Sequence, residues 1–484
     1  MDWIASLLSQ EHVKLWLSVG WTLYVIVVSV WILLQRSQPV ATLSWLLSMA
    51  ALPVVGLVIY YFLGPQRMKR QRIKRLRSRK RSKVRASIQR LRERMPHGDA
   101  RLHQVAQLVA ATSDFPLSTA SGMQLLVGGA ATFDAIAQAV TTARHHVHLE
   151  YYIYEPDQTG TALRDLLIDK ARQGVQVRLL VDALGSKKLG RQFLKPLLDA
   201  GAEVARFHDS KVGRRLRPVV NFRTHRKILV CDGQVGFTGG VNVTDEENER
   251  IVANAYHDVH LRVEGAVVNW LQTVFMEDWA YALEKKPGQL PADIEELLPE
   301  QGDGDIPMQV ITSGPDNSLQ AICRAHLAAI HAADHRVWLT TPYFVPTEAA
   351  LAALTNASLR GVDVQILVPK KSDSIFVTAA ARSYFDELIR CGVRVHEFQA
   401  SMLHSKTLVV DDNIAIIGTA NFDYRSFFLN YEVCLIGYGP QLNGELARQF
   451  EQDLGSAQTV QYKSEKRFSR RLFDSVARLT SPLL

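Results

Sequence analysis

Two stretches decide how this chain folds. The first is T-H-R-K-I-L-V-C-D-G-Q-V-G-F-T-G-G-V-N, Thr224 to Asn242, and the second is L-H-S-K-T-L-V-V-D-D-N-I-A-I-I-G-T-A-N, Leu403 to Asn421. Each holds His-x-Lys-x4-Asp, then Gly seven residues past the Asp, then Asn three further on. His225, Lys227, Asp232, Gly239 and Asn242 stand in register with His404, Lys406, Asp411, Gly418 and Asn421. Agreement at five polar or glycine positions marks an internal duplication. β-Forming apolar residues surround the polar ones, and Asp-Gly or Asp-Asp-Asn follows, so each copy reads as strand, turn, strand. Strand alternation puts residues i and i+2 on one face, so His225 points with Lys227 and His404 with Lys406. Asp232 and Asp411 lie seven residues past their histidines. That odd offset puts them on the opposite face, where they are expected to brace the turn.

Working outward, further stretches repeat. Val147–Tyr154 (V-H-L-E-Y-Y-I-Y) matches Val337–Phe344 (V-W-L-T-T-P-Y-F), Gln173–Asp182 matches Arg360–Pro369, and Ala200–Phe207 matches Cys391–Phe398. Strand, helix and strand in this order predict two α/β domains with mainly parallel sheets and helices on both faces. The first domain is set at 122–284, a linker rich in Pro, Gly and acid at 285–307, and the second domain at 308–484. The first domain carries an insertion: Phe207 precedes His225 by 18 residues, whereas Phe398 precedes His404 by 6. Its Lys211, Arg214, Arg215, Arg217 and Arg223 read either as a solvated loop or as a basic lip that engages phosphate.

Before the first domain the texture is different. Leu15–Leu34 and Val40–Leu63 carry no charge, and about 20 residues of helix span a bilayer's hydrocarbon core. They predict a transmembrane hairpin in 1–66, with spans at about 15–34 and 40–63. A cleaved signal peptide is the competing reading. A connector at 67–121 follows, and Arg67–Arg85 holds twelve Lys and Arg with no acid. Of 56 basic residues, 44 then remain against 48 acidic ones, so the net charge of +8 belongs to this segment alone. Beside a membrane helix such a run keeps its side cytoplasmic and contacts anionic headgroups; nucleic-acid binding is the rival reading. The four cysteines, Cys231, Cys323, Cys391 and Cys434, show no metal spacing and suit a reducing compartment. Arg144-His145-His146-Val147-His148 lacks a partner cluster and reads as structural. Phe468, Leu472, Val476 and Leu479 predict a C-terminal basic helix that packs on the second domain or lies on a membrane surface.

One histidine per domain suggests that the halves meet and build one site. One imidazole would attack phosphorus and the other would protonate the departing oxygen. Asp258, 33 residues past His225, and Glu432, 28 past His404, read as acids on further strands of the same sheets. Each would hold an imidazole in one tautomer. Lys227 and Lys406 supply charge, and Asn242, Asn421 and Thr419 supply donors, for a phosphoryl group gaining negative charge. Position 240 is Gly where the second copy has Thr419, so the hydroxyl is one-sided. No metal or other cofactor is expected, and no Asp/Glu cluster suited to one is visible.

The doubled H-x-K-x4-D with G-x-x-N resembles the signature of the phospholipase D superfamily. With the N-terminal hairpin, the L-E-Y-Y-I-Y strand, G-G-V-N and G-T-A-N, essentially the whole chain is similar to bacterial cardiolipin synthases. The resemblance implies two repeated phospholipase-D-like α/β/α domains forming one site behind the hairpin. It implies that two phosphatidylglycerol molecules become cardiolipin and glycerol through a phosphohistidine. The signature residues His225, Lys227, Asp232, His404, Lys406 and Asp411 would be catalytic, with His225 the nucleophile and His404 the acid/base. It further implies a multi-pass protein of a bacterial inner membrane, its catalytic body cytoplasmic, with phosphatidylglycerol and anionic lipids as partners and no nucleic acid. A membrane hydrolase or another transphosphatidylase of the same superfamily is the alternative, and homodimerisation stays open.

Overall fold

The computed structural model describes residues 10–34, 39–52, 55–56, 60, 100–113, 115–207, 223–283, 296–315, 317, 319–461 and 477–478. The basic run 67–85, the insertion up to 222, the front of the linker and most of the C-terminal basic helix lie outside them. The N-terminal helices, α1 (Gln10–Leu33) and α2 (Pro39–Ala51), form a compact unit of their own. Tyr60 packs edge-on against Trp31 and Trp45 there, at 5.3 and 5.0 Å. Among the described residues no helix is long and apolar enough to cross a membrane. The second expected span, 40–63, falls partly outside them.

The rest of the chain is built on two sheets of matching topology. The first half contributes β2 (Gly122–Val127), β3 (His146–Tyr151), β4 (Gln176–Asp182), β5 (Glu203–Phe207), β6 (Ile228–Cys231), β7 (Val235–Gly239) and β8 (Val259–Glu264). Their order is β2-β8-β7-β6-β3-β4-β5. The second half contributes β9 (Ile306–Ser313), β10 (Arg336–Thr340), β12 (Asp363–Pro369), β13 (Arg394–Phe398), β14 (Thr407–Val410), β15 (Ile414–Gly418) and β17 (Glu432–Tyr438). These run β9-β17-β15-β14-β10-β12-β13, the same order strand for strand. Register repeats too: Val147 pairs with Val177 in the first half, and its counterpart Val337 pairs with Val364 in the second. Two short elements, β11 (Phe344–Val345) and β16 (Phe422–Asp423), pair separately.

The α/β duplication is as read, but the sheets are mixed rather than mainly parallel. Within these two sheets only β3-β4-β5 and β10-β12-β13 run parallel; the other pairings are antiparallel. The reason lies in the repeated stretch. Its three-residue turns fold β6 back on β7 and β14 back on β15, and hairpins are antiparallel by construction. In the first half α4 (Gly129–Thr142) leads from β2 into β3, and α5 (Gln158–Arg172) and α6 (Arg191–Asp199) supply the crossovers of the parallel part. The second half uses α8 (Ala321–Ala332), α9 (Glu348–Leu359) and α10 (Ile375–Arg390).

The expected connector 67–121 is not wholly a connector. Within it, α3 (Ala100–Ser113) buries Leu102, Val105 and Val109 in the second half's core. Then β1 (Ser118–Ala120) pairs antiparallel with β9, while β18 (Ala457–Thr459) closes the sheet's other edge on β13. Between the halves lies a shared apolar core. It joins Ile228, Val230, Val259 and Leu261 to Val409, Ile417, Val433 and Leu435, with α7 (Val268–Ala282) and α12 (Pro440–Leu454) packed against it. The remaining described helix, α11 (Tyr424–Phe428), is a single turn capped by Asp423. Cys231, Cys323 and Cys434 are buried free thiols, and Cys391 is half-buried.

Candidate active site

Each copy of the repeat enters its strand through a backbone contact with the other half. Thr224 bridges to Tyr431, and His225 N–H donates to Tyr431 O at 2.9 Å. Symmetrically, Leu403 bridges to His257, and His404 N–H donates to His257 O at 2.7 Å. The residue after each bridge partner is an acid, Glu432 or Asp258. The crossing therefore decides which acid meets which histidine. His225 Nδ1 lies 3.0 Å from Glu432 Oε2, and His404 Nδ1 lies 2.6 Å from Asp258 Oδ2. Glu432 opens β17 and Asp258 immediately precedes β8, each in the half expected for it, but each serves the other half's histidine, not its own.

These pairs are buried; Glu432 and Asp258 are fully enclosed. His225 Nδ1 also faces Thr419 O at 3.1 Å, and neither neighbour can donate, so the Nδ1 nitrogen carries the proton. The Nε2 lone pair is left for chemistry. Burial drives the His225 imidazole below its usual range and the His404 imidazole down to about 3, with Lys406 adding to the second effect. Both rings are neutral in the ligand-free site at neutral pH. Burial would raise the Glu432 and Asp258 carboxyls, but the neighbouring lysine charges and the hydrogen bonds from the imidazoles outweigh it and both titrate low.

The lysines sit where the face argument put them. Lys227 Nζ donates to His225 O at 3.0 Å, and Lys406 Nζ donates to His404 O. Burial and the mutual repulsion of the two ammonium groups bring Lys227 down to about 7. Two enclosed cations that repel one another favour an anion between them.

Each of the three expected donors has a partner within the protein. Thr419 Oγ1 donates to Glu432 Oε2 at 2.5 Å, and Asn242 Nδ2 donates to Glu247 Oε1 at 2.9 Å. Asn421 donates its backbone N–H to Ser426 Oγ, and its side chain hydrogen-bonds the Asp423 carboxylate. A buried carboxylate needs donors as much as a phosphoryl group does, and it is always present. Gly240, at Thr419's counterpart position, has Asp258 pressed against it; an added Cβ would lie 2.0 Å from Asp258 Oδ1. That explains the one-sided hydroxyl.

Glu247 is the functional neighbour that the sequence reading missed. It is buried, and its Oε1 lies 3.5 Å from His404 Nδ1. Burial, helped by the Asp258 charge, pushes its carboxyl up to about 8. Glu247 follows Asn242 by five residues, and the residue five past Asn421 is Ser426. Extending the comparison of the copies beyond Asn would have exposed this break in symmetry. With Asp258 and His404, Glu247 forms the one cluster among the described residues whose ligand atoms, within 4.8 Å, have metal-like spacing. Such an acid pair was not expected. His404 Nδ1 already bonds Asp258, and Lys406 Nζ stands 3.7 Å from it, so a cation occupies this ground already.

The signature aspartates are not brought to the site. Asp232 accepts the backbone N–H groups of Arg144, His145 and His146 at 2.8–2.9 Å. Asp411 does the same for Asp334, His335 and Arg336. Both take positive φ, 55° and 45°, at the hairpin turn. They stitch the turn to the start of β3 or β10, as braces. Asp232→Ala should lower the unfolding free energy by about 2–4 kcal/mol, read as a denaturant midpoint shift, because three donors lose their acceptor. His146 and His148 are buried in β3, His148 within 2.8 Å of Gln272, and belong to the core.

Comparison with known proteins gives the chain its relatives. A family model described as "Cardiolipin synthase, PLD-like domain" matches residues 136–279 and 326–454. A second, "Phospholipase_D-nuclease N-terminal", matches 22–65. "Cardiolipin synthase 1" of Bacillus anthracis is 36% identical over 99% of this chain and 96% of its own length. "Cardiolipin synthase" of Geobacillus kaustophilus is 38% identical over 95% of this chain and 92% of its own. The solved phosphatidylserine synthase of Haemophilus influenzae shares the fold at a TM-score of 0.61 and 14% identity, covering 79% of this chain and all of that one. By fold, duplicated motif and near full-length identity, the chain belongs to the cardiolipin synthase family of PLD-like proteins.

Proposed function

We propose that this enzyme transfers a phosphatidyl group between two phosphatidylglycerol molecules, giving cardiolipin and glycerol. The carrying observation is the crossed pair of buried His–carboxylate contacts, which leaves two Nε2 atoms for one phosphorus. In the first step His225 Nε2 attacks phosphorus; the P–N bond forms and the P–O bond to the headgroup glycerol breaks. His404, which takes up a proton from water at Nε2 once the anionic phosphodiester is bound beside it, gives that proton to the departing oxygen, and glycerol leaves. In the second step His404 takes the proton of the second lipid's glycerol hydroxyl. That oxygen attacks phosphorus, the P–N bond breaks and His225 is restored. The asymmetry at Glu247 supports this division of labour: His404, the proton carrier, has two carboxyl groups beside it and His225 has one. Lys227 and Lys406 hold the phosphodiester between them.

The test is lipid mass spectrometry of the purified protein in phosphatidylglycerol vesicles. Cardiolipin and glycerol in equal amounts are expected; phosphatidic acid alone would identify a hydrolase instead. The pH dependence has a definite sign. Lys227 loses its charge as pH rises through about 7, so an anionic lipid binds more weakly above it. kcat/KM should fall up to about tenfold per pH unit there, and Lys227→Arg should flatten that limb.

We also infer membrane attachment through the N-terminal unit as a multi-pass hairpin. Trp16, Val27 and Leu34 on or beside α1 are 64%, 64% and 76% exposed, a surface suited to lipid and not to water. With the basic run 67–85 next in the chain, the positive-inside rule favours a cytoplasmic catalytic body.

A further inference from the structure

Two equivalent loops at the carboxyl ends of β4 and β12 share a composition that the chemistry does not use. After β4, residues 183–188 carry Leu184, half exposed at 50%, and the pair Lys187-Lys188. After β12, residues 370–374 carry the pair Lys370-Lys371, and the first turn of α10 adds Ile375 and Phe376, 77% and 55% exposed. Single exposed apolar residues are ordinary on a water-soluble surface. Here the feature recurs at both positions that the duplication relates, each time beside two lysines.

Both loops are tied to the site. Asp182 accepts the N–H groups of Leu184 and Gly185 and, through its other oxygen, that of Thr224, the residue before His225. Ser186 donates to Tyr152 O, and the Tyr152 ring lies 4.9 Å from that of His225. In the second loop Asp373 accepts from Tyr343 Oη at 2.8 Å and also acts electrostatically on Tyr256, whose ring stands 5.7 Å from that of His404. Each loop therefore flanks the approach to one histidine. The acids nearby are already engaged: Lys188 pairs with Glu155, and Asp373 with Tyr343.

We propose that these loops form a two-armed docking rim for an anionic phospholipid surface. Leu184, Ile375 and Phe376 enter the acyl region while Lys187, Lys370 and Lys371 meet the headgroup phosphates. The inference rests on the lipid-transfer reading, and it adds the face of the catalytic body that meets the bilayer. Apolar side chains at the rim lower the cost of drawing a headgroup out of the membrane, because the acyl chains never leave it. The lysines add attraction that salt weakens.

The experiment uses the full chain with Cys391→Ser, reconstituted in phosphatidylcholine vesicles with and without phosphatidylglycerol. Bimane placed at Leu184→Cys or Ile375→Cys should be quenched by lipids spin-labelled in the acyl chain. Bimane at Leu359→Cys, exposed at the opposite end of β12, should not be. No quenching at 184 and 375, or equal quenching at 359, would overturn the proposal. Leu184→Asp and Ile375→Asp should raise KM for vesicular phosphatidylglycerol about tenfold or more, with turnover of a short-chain soluble analogue within about twofold of wild type. Equal losses on both substrates would mean a structural role and would also overturn it. Quenching retained by a protein that makes no cardiolipin would sink the transfer reading and leave the docking face standing.

Discussion

Replacing His225 with alanine should stop glycerol release and cardiolipin formation together, by about 10⁴-fold or more, because no covalent intermediate can form. Replacing His404 should be milder in its first turnover. Loss of a proton carrier costs about 10²–10⁴-fold, yet the nucleophile remains. His404→Asn should therefore release at most one glycerol per enzyme, slowly, and then stall, since the second lipid's hydroxyl lacks its base. The two variants are separated by a single-turnover assay with labelled glycerol in the headgroup. A full-sized burst from His225→Ala would reverse the assignment. Neither histidine tolerates a neutral stand-in, because each needs Nδ1 on a carboxylate and Nε2 on the substrate at once.

The crossed acids give the second large effect. Glu432→Gln and Asp258→Asn should each lower kcat by about 10³–10⁴-fold, since an amide can present its N–H to Nδ1 and fix the wrong tautomer. The pattern of coupling is more telling than the size. Glu432→Gln should add little to His225→Ala, while its effect should combine with that of His404→Ala more nearly additively. Asp258→Asn should behave the opposite way. Kinetics of the four double variants check this, and coupling within each half instead of across them would contradict the geometry. Gly240→Ala offers a steric version of the same test: its Cβ would collide with Asp258, so it should resemble Asp258→Asn in kcat.

Much of this was legible in the repeated stretch itself. The duplication, the shared face of His and Lys, and the bracing aspartates all follow from local spacing, which a strand's period of two makes readable. The partner of each histidine does not follow from spacing. It depends on the long-range bridges Thr224–Tyr431 and Leu403–His257, and nothing local encodes that the halves exchange them. The partners of Thr419 and Asn242 are hidden for a related reason: a sequence shows donor capacity, but not the buried carboxylates, Glu432 and Glu247, that meet it. Parallel sheets were over-called because strand–helix–strand order dominates the pattern, while the antiparallel hairpin sits inside the very motif used to find the site. Residues 100–120 looked like connector because α3 and β1 bury themselves in a domain that begins some 190 residues later in the chain.

The central claim is one site with a covalent intermediate on His225. His404→Asn protein incubated with phosphatidylglycerol, quenched without acid, digested and analysed by mass spectrometry tests it directly. The account predicts a phosphatidyl mass on the peptide that carries His225. The same mass on the peptide carrying His404→Asn's neighbours, or glycerol release with no adduct on any peptide, would contradict it.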